Sequence, residues 1–137
     1  MSSKFESSVR EINAPQQTVY NALSNLENLE KVRDRIPADK VKDFSFDHDS
    51  VSINVPPVGS ISMKIVDRDE PKCIKFETTN SPVPFNFWIQ LLPVTAATCK
   101  MRLTIKAELN PFIKQMVKKP LEEGIEKIAD ALQMIQY

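Results

Sequence analysis

The amino-acid sequence predicts an α+β fold, in which an antiparallel sheet of seven strands packs against one long C-terminal helix. Apolar and polar residues alternate between positions 41 and 109, which is typical of strands that bury one face. Turn residues divide this stretch into six strands, and one further strand is predicted near the N-terminus. After Pro111 the apolar residues recur with a period of about 3.6 residues, which indicates a helix.

The N-terminal part is predicted to contain one strand followed by two short helices. Residues 4–12 show the alternation of a strand. Asn13 is a favourable N-cap, and the proline two residues later fits the first turn of a helix, so a helix is expected over residues 15–24. Apolar residues at helical spacing predict a second short helix over residues 26–36, which ends before the next proline.

The six later strands are predicted to form an antiparallel meander, whose successive turns fall at opposite ends of the sheet. The turns at residues 56–59 and 81–84 therefore share one end with the turn before the C-terminal helix, and this end carries no charge. Exposed apolar loop tips are informative about binding. We expect a cavity mouth or a docking surface here, with Val58 and Val83 at its tips. The alternative is that the prolines only stiffen these turns.

The C-terminal helix is predicted to be about 25 residues long. Asn110 caps it and Pro111 takes its first position. Pro120 lies inside it and lacks a backbone donor, so a kink is expected there. Its apolar stripe is the only one long enough to cover the dry face of the sheet, and it comprises Ile113, Val117, Leu121, Ile125, Ile128, Leu132 and Ile135.

Composition excludes several classes of function. The 137 residues include 18 basic and 18 acidic side chains, and this zero net charge argues against a nucleic-acid partner. Two glycines are too few for the glycine-rich loops that bind dinucleotides or phosphates. One histidine and two cysteines argue against a zinc site, so no metal and no cofactor are expected. The length is that of one domain, predicted over residues 1–137.

The sequence predicts a cytoplasmic protein. The first residues lack the apolar core of a secretory signal. Every apolar stretch is far shorter than the roughly 18 residues that a membrane span needs, so no stable membrane insertion is expected. Cys73 and Cys99 are interpreted as reduced thiols of the core.

The run from Val9 to Asn25, VREINAPQQTVYNALSN, resembles the opening of the START-like superfamily, also called SRPBCC: a strand, then Ala-Pro, Val-aromatic and Leu-Ser. The order of elements also resembles the helix-grip fold of that superfamily over essentially the whole chain. The resemblance implies a curved sheet wrapped around the C-terminal helix, with an apolar cavity between them. A loop that is often glycine-rich in the superfamily holds only Gly59 here, which argues against a nucleotide or phosphate role.

The cavity wall is predicted from the inward faces of the strands and of the C-terminal helix. Methionine adapts to irregular shapes, so a wall that contains it suits varied apolar ligands. The alternative is that the same side chains simply fill the core. Thr78 is the polar candidate, for a ligand headgroup. The predicted ligand-binding residues are Ile61, Met63, Phe76, Thr78, Phe87, Met101, Leu103, Met116, Val117 and Leu121.

No catalytic residue is predicted. His48 lies between two aspartates in a turn, where neighbours do not orient one another as a catalytic triad does. Glu77 and Glu108 fall on the polar faces of their strands, so neither is expected to be a buried general base. Trp88 points outward as a protein contact or, if a bulge precedes it, inward.

The function predicted is binding or carriage of a small hydrophobic ligand, such as a lipid, an isoprenoid or a polyketide-like compound, without chemistry. An enzyme of the polyketide cyclase or aromatase type is the first alternative, and it would need an inward-facing titratable group. A protein-interaction module or regulator is the second. The partner expected is therefore a small apolar molecule. The sequence leaves open whether the chain forms a homodimer.

Overall fold

The computed structural model describes residues 2–25, 45–46, 50–55, 59–81, 84–134 and 137. In this part of the chain, strands form one antiparallel sheet and two helices pack on it. In chain order the elements are β1 (Ser2–Glu6), β2 (Arg10–Ile12), α1 (Gln16–Leu23), β3 (Ser45–Phe46), β4 (Ser50–Val55), β5 (Gly59–Asp69), β6 (Cys73–Asn80), β7 (Asn86–Pro93), β8 (Cys99–Glu108) and α2 (Pro111–Met134).

The sheet has the order β1-β8-β7-β6-β5-β4-β3, and β2 pairs with β8 beside β1. The strand predicted over residues 4–12 is therefore divided in two. Its halves share one position in the sheet, so the prediction of a seven-stranded antiparallel sheet is confirmed. The pairing register shifts by one residue between Phe5, which faces Ile105, and Arg10, which faces Met101. Ser7 bridges the break, since its backbone and its hydroxyl both bond to Leu103.

The curvature of the sheet has a local cause in β5. Its pairing with β6 shifts register between Ser62 and Met63, and again between Ile65 and Asp67. Such bulges bend a strand and increase its twist. The bend lets the sheet wrap around α2, as the helix-grip prediction requires.

α2 begins and ends close to the predicted positions. The side chain of Asn110 accepts a hydrogen bond of 2.8 Å from the Ile113 backbone N–H, so the predicted cap is confirmed. Pro120 lies inside the helix. The cap predicted for α1 is wrong, because Pro15 takes the N-cap position there and no side chain caps the helix. The second short helix, at residues 26–36, lies outside the described residues, as do His48 and the loop tips Val58 and Val83.

One apolar core joins the sheet to both helices. The inward faces of β5, β6, β7 and β8 are buried against α1 and against the stripe of α2, which confirms that the C-terminal helix covers the dry face. The stripe residues buried in this core are Val117, Leu121, Ile125 and Leu132, and Ala129, outside the predicted stripe, is buried with them.

A polar cluster fastens the C-terminal half of α2 to the N-terminal strands. The Arg10 guanidinium donates to Glu126 and Asp130, and Ser8 donates to Glu126 from its backbone N–H and its hydroxyl. Gln133 donates to the backbone carbonyl of Glu11 at 3.0 Å. Partial burial alone would raise the pKa of Glu126, but the hydrogen bonds from Arg10 and Ser8 outweigh it and hold that pKa below its ordinary value.

Candidate functional site

A small cavity lies between α2 and the sheet, towards the end of the sheet that was predicted to be uncharged. β5 and β7 contribute residues near their starts, β8 one near its end, and α2 residues from its middle. The cavity has a volume of about 20 Å³, which is room for about one water molecule. Its wall is formed by Ile61, Met63, Phe85, Phe87, Ile105, Leu121, Gly124, Ile125 and Ile128.

The structure brings four of the predicted ligand-binding residues together on this wall: Ile61, Met63, Phe87 and Leu121. Four others are buried but do not line this cavity, so their contact with a ligand stays a prediction. These four are Phe76, Met101, Leu103 and Val117. Among the described residues, this cavity therefore brings together one end of the predicted wall.

The expectation that Met116 faces the sheet is wrong, because 63% of this residue is exposed. Consecutive residues of an α-helix point about 100° apart. The stripe that runs through Val117 and Leu121 faces the sheet, so Met116, one residue earlier, turns towards solvent.

Thr78 is half-buried, and its hydroxyl has a structural partner. It accepts a hydrogen bond of 3.1 Å from the Phe85 backbone N–H, and the Phe85 carbonyl accepts a bond of 3.2 Å from the Thr78 backbone N–H. These bonds fix the end of the β6–β7 connection and therefore the position of Phe85 on the cavity wall. A contact between Thr78 and a ligand headgroup stays a prediction.

Five wall residues were not among the predicted ligand-binding residues. Ile105 continues the alternation of β8 by one step, and Ile125 and Ile128 belong to the predicted stripe of α2, so these three had a signal in the sequence. Phe85 precedes β7 in a connection, but it extends the alternation of Phe87 and Ile89 by one step and so had the same signal. Gly124 has no side chain, and the space beside α2 at this point belongs to the cavity.

The wall is apolar throughout the described residues, with no titratable side chain among those that line the cavity. Phe76 supports the wall from behind, since its ring meets that of Phe87 edge-on at 5.6 Å between centroids. Glu77 and Glu108 are exposed, as predicted. Among the described side chains, no group of three or more His, Cys, Asp or Glu could hold a metal ion.

Trp88 lies on the outer face of the sheet, since Phe87 and Ile89 on either side of it are buried and Trp88 is only half-buried. The ammonium group of Lys75 lies 5.5 Å from the centroid of its ring, which is a cation–π contact. The outward of the two predicted orientations is therefore correct.

Both cysteines are free thiols, Cys99 buried and Cys73 half-buried. Burial raises the pKa of the Cys99 thiol. Burial, followed by the nearby carboxylates of Asp69 and Asp67, raises that of Cys73. Both thiols are thus protonated at neutral pH, which is the unreactive form.

None of the helices described in the structure has the length and apolar character needed to cross a bilayer.

Comparison with protein families gives one match over nearly the whole chain. A family model described as "Polyketide cyclase / dehydrase and lipid transport" matches residues 3–133. Comparison with functionally curated proteins finds no match.

Solved structures share the fold at low sequence identity. Norcoclaurine synthase from Thalictrum flavum, solved with dopamine and hydroxybenzaldehyde, superposes with a TM-score of 0.73 at 15% identity, covering 97% of this chain and 85% of that chain. A START superfamily protein from Mycobacterium smegmatis gives 0.67 at 14% identity, covering 96% and 94%. The Zhui aromatase/cyclase from a Streptomyces species gives 0.65 at 11% identity, covering 96% and 92%. These likenesses confirm the helix-grip fold.

Proposed function

Because the chain belongs to the polyketide cyclase / dehydrase and lipid transport family, we propose that it binds a small hydrophobic molecule between the sheet and α2 and carries it unchanged. The ligand class is a lipid, an isoprenoid or a polyketide-like compound. The observation that carries the proposal is the apolar wall of the cavity. Affinity would come from burial of apolar surface, at about 25 cal/mol per Å².

Ligand binding requires this cavity to expand. Ligand pockets usually hold roughly 300–1,000 Å³, whereas the cavity here has about 20 Å³. Met63 is flexible and can change rotamer at low cost. Phe85 lies in a connection outside the strands. Gly124 lines the cavity without a side chain, so it leaves space on the helix side. In this proposal the structure rearranges at these three positions to make room for the ligand.

The mouth of the cavity is proposed at the end of the sheet where the cavity lies. Ile61 follows the β4–β5 connection closely, and Phe85 lies in the β6–β7 connection. In the sequence, Val58 and Val83 belong to those two connections, and they remain our proposed mouth residues. Thr78, beside the second connection, remains the proposed headgroup contact.

A cyclase or aromatase-type enzyme is the second candidate function. The family description includes cyclases, and one neighbour in fold is an aromatase/cyclase. Such an enzyme needs an acid or base that faces its substrate. The described wall contains none, so the carrier has the stronger support. A protein-interaction module that uses Trp88 as its contact has weaker support than the carrier, because the Lys75 ammonium group already lies over that ring.

We also propose that the chain acts as a single domain in the cytoplasm, with a homodimer left open. The free state of Cys73 and Cys99 agrees with a reducing compartment.

The proposal is tested by filling the cavity from the helix side. Gly124→Leu fills the cavity from the helix side and also removes a poor helix former. The leucine side chain exceeds the cavity volume of about 20 Å³, so overpacking is expected to cost about 1–3 kcal/mol of stability. Circular dichroism therefore checks that the variant is folded before its binding is measured. In a titration with a fluorescent fatty-acid analogue, this variant should bind at least about tenfold more weakly than the unaltered protein, which corresponds to the ~1.4 kcal/mol of a few lost apolar contacts.

Glu123→Leu is the matched control, since it adds the same side chain at an exposed position one residue earlier. It should bind the analogue as the unaltered protein does. Equal binding by all three proteins would contradict the cavity as the ligand site.

A further inference from the structure

Phe87 lies at the inner end of the cavity on the sheet side. Its side chain lines the cavity, whereas Ile89, the next inward-facing residue of β7, is buried and does not. Successive inward-facing residues of a strand lie about 7 Å apart. Phe85, on the other side of Phe87, lies in the β6–β7 connection that borders the proposed mouth. Along β7 the wall therefore begins at Phe85, near the mouth, and ends at Phe87.

The pairing register places Phe87 in the middle of a row of side chains that crosses the sheet. Phe76 on β6 and Ile105 on β8 are its direct neighbours. Ile65 on β5 and Phe5 on β1 extend the row to either side. All five side chains are buried, and Phe87 and Ile105 also line the cavity. This row therefore separates the cavity from the part of the core that lies further from the mouth.

Phe87 is held more firmly than the residues proposed to make room for a ligand. Its ring meets the Phe76 ring edge-on, with 5.6 Å between centroids, and a displaced ring would lose this favourable geometry. Strands pair with β7 on both sides at this position. In contrast, Met63 has a flexible side chain, and Phe85 lies outside the strands. A ligand that enters from the mouth therefore meets Phe87 as a fixed surface.

We propose, on the basis of the proposed function, that Phe87 forms the floor of the ligand site and determines how long a ligand the protein buries. The helix side gives the corresponding length. The wall residues of α2 run from Leu121 to Ile128, seven positions or about 10 Å along the helix axis. The ligand is thus a compact apolar molecule, or a longer one whose remainder stays at the mouth.

Straight-chain alcohols, from octanol to octadecanol, test the proposal by displacing the fluorescent fatty-acid analogue from the full chain. In the unaltered protein, affinity should rise about fourfold with each methylene that enters the cavity. It should stop rising before octadecanol, once the inner end of the alcohol reaches Phe87. We call the chain length at which affinity stops rising the length limit.

Phe87→Ala removes the ring and should move the length limit to longer alcohols. Alcohols beyond the limit of the unaltered protein should bind this variant at least about tenfold more tightly, which is the gain from about two further buried methylenes. Truncation of a buried phenylalanine also destabilises the fold. Phe87→Leu is therefore measured as well, since it removes less volume and should shift the limit in the same direction by a smaller amount.

Ile89→Ala is the matched control. It also truncates a buried side chain on the inward face of β7, but on the side of Phe87 that faces away from the mouth. It should leave the length limit unchanged, because Phe87 still blocks the way. Circular dichroism checks that each variant is folded. The poor solubility of the longest alcohols affects every protein alike, so a limit that differs between variants reports on the site.

Three results would overturn the proposal: a length limit that neither Phe87 variant shifts, an equal shift with Ile89→Ala, or an affinity that rises through octadecanol in the unaltered protein. If Phe87→Ala does not fold, the limit of Phe87→Leu alone decides. In each of these cases the alcohols still bind, so the proposed function stands. Displacement of the analogue by none of the alcohols would overturn both.

Discussion

Arg10 is the residue that ties the two ends of the chain together. Its guanidinium donates hydrogen bonds to Ser8, in the break between β1 and β2. It also donates to three residues of α2, Glu126, Asp130 and Gln133. Partial burial would lower the pKa of Arg10, but the hydrogen bonds that Arg10 donates to Asp130 and Glu126 outweigh it and raise that pKa above its ordinary value. The side chain is charged at every accessible pH, and its removal takes a cationic donor away from two carboxylates.

We therefore predict that Arg10→Ala lowers the free energy of unfolding by about 1–3 kcal/mol. Urea denaturation followed by circular dichroism measures this. Arg102→Ala is the control, since Arg102 is exposed and its ion pair with Glu6, at 3.3 Å, is expected to contribute at most about 1 kcal/mol. Equal losses in the two variants would show that the Arg10 cluster contributes no more than an exposed surface pair.

Glu126 makes the same cluster sensitive to pH. Its pKa is lower in the folded protein than its ordinary value of 4.5. A depressed folded pKa gives stability that is fully present above the unfolded pKa and is lost as the pH falls through the folded pKa. The unaltered protein should thus lose more stability than Glu126→Gln between about pH 6 and pH 3. Urea midpoints at both values measure the difference, and parallel losses would contradict the prediction.

At the scale of elements, alternation located the strands but missed one break. Phe5 and Ile12 are both buried, yet they are separated by an odd number of positions, so one regular strand cannot bury both. The register shift between β1 and β2 resolves the conflict, with Ser7 at the break. This signal was present in the sequence.

For α2, the periodicity identified the stripe that faces the sheet but not where contact with the sheet begins. The helix extends beyond the core at its start, so Met116 is exposed while Val117 is buried. The point where the sheet ends depends on tertiary packing, which periodicity does not report.

Two truncations on α2 test this boundary. Leu121→Ala should lower the free energy of unfolding by about 2–5 kcal/mol, because it enlarges a buried cavity. Met116→Ala should change it by less than about 0.5 kcal/mol, because that side chain is exposed. Thermal and urea unfolding of both variants give the comparison. A large loss for Met116→Ala would show that this residue packs on the core after all.

At the scale of the whole molecule, the sequence predicted the architecture better than the cavity. The order of elements, the sheet, and the helix that covers its dry face follow from periodicity and turn chemistry. The volume left between sheet and helix depends on how individual side chains interlock. Met101 and Leu103 were expected on the cavity wall and are buried away from the cavity that the described residues line. Phe85, which shares the alternation of β7, and Gly124, which has no side chain to follow a period, line it without having been expected there.

The proposed function requires this apolar cavity to open and hold a hydrophobic molecule. Native mass spectrometry of the protein purified from its own host tests it most directly, because a bound ligand adds its mass to the intact protein. We expect a co-purifying hydrophobic compound that organic extraction releases and that Gly124→Leu fails to retain. Repeated isolation of the unaltered protein without any bound compound, with no uptake of added lipids, would contradict it.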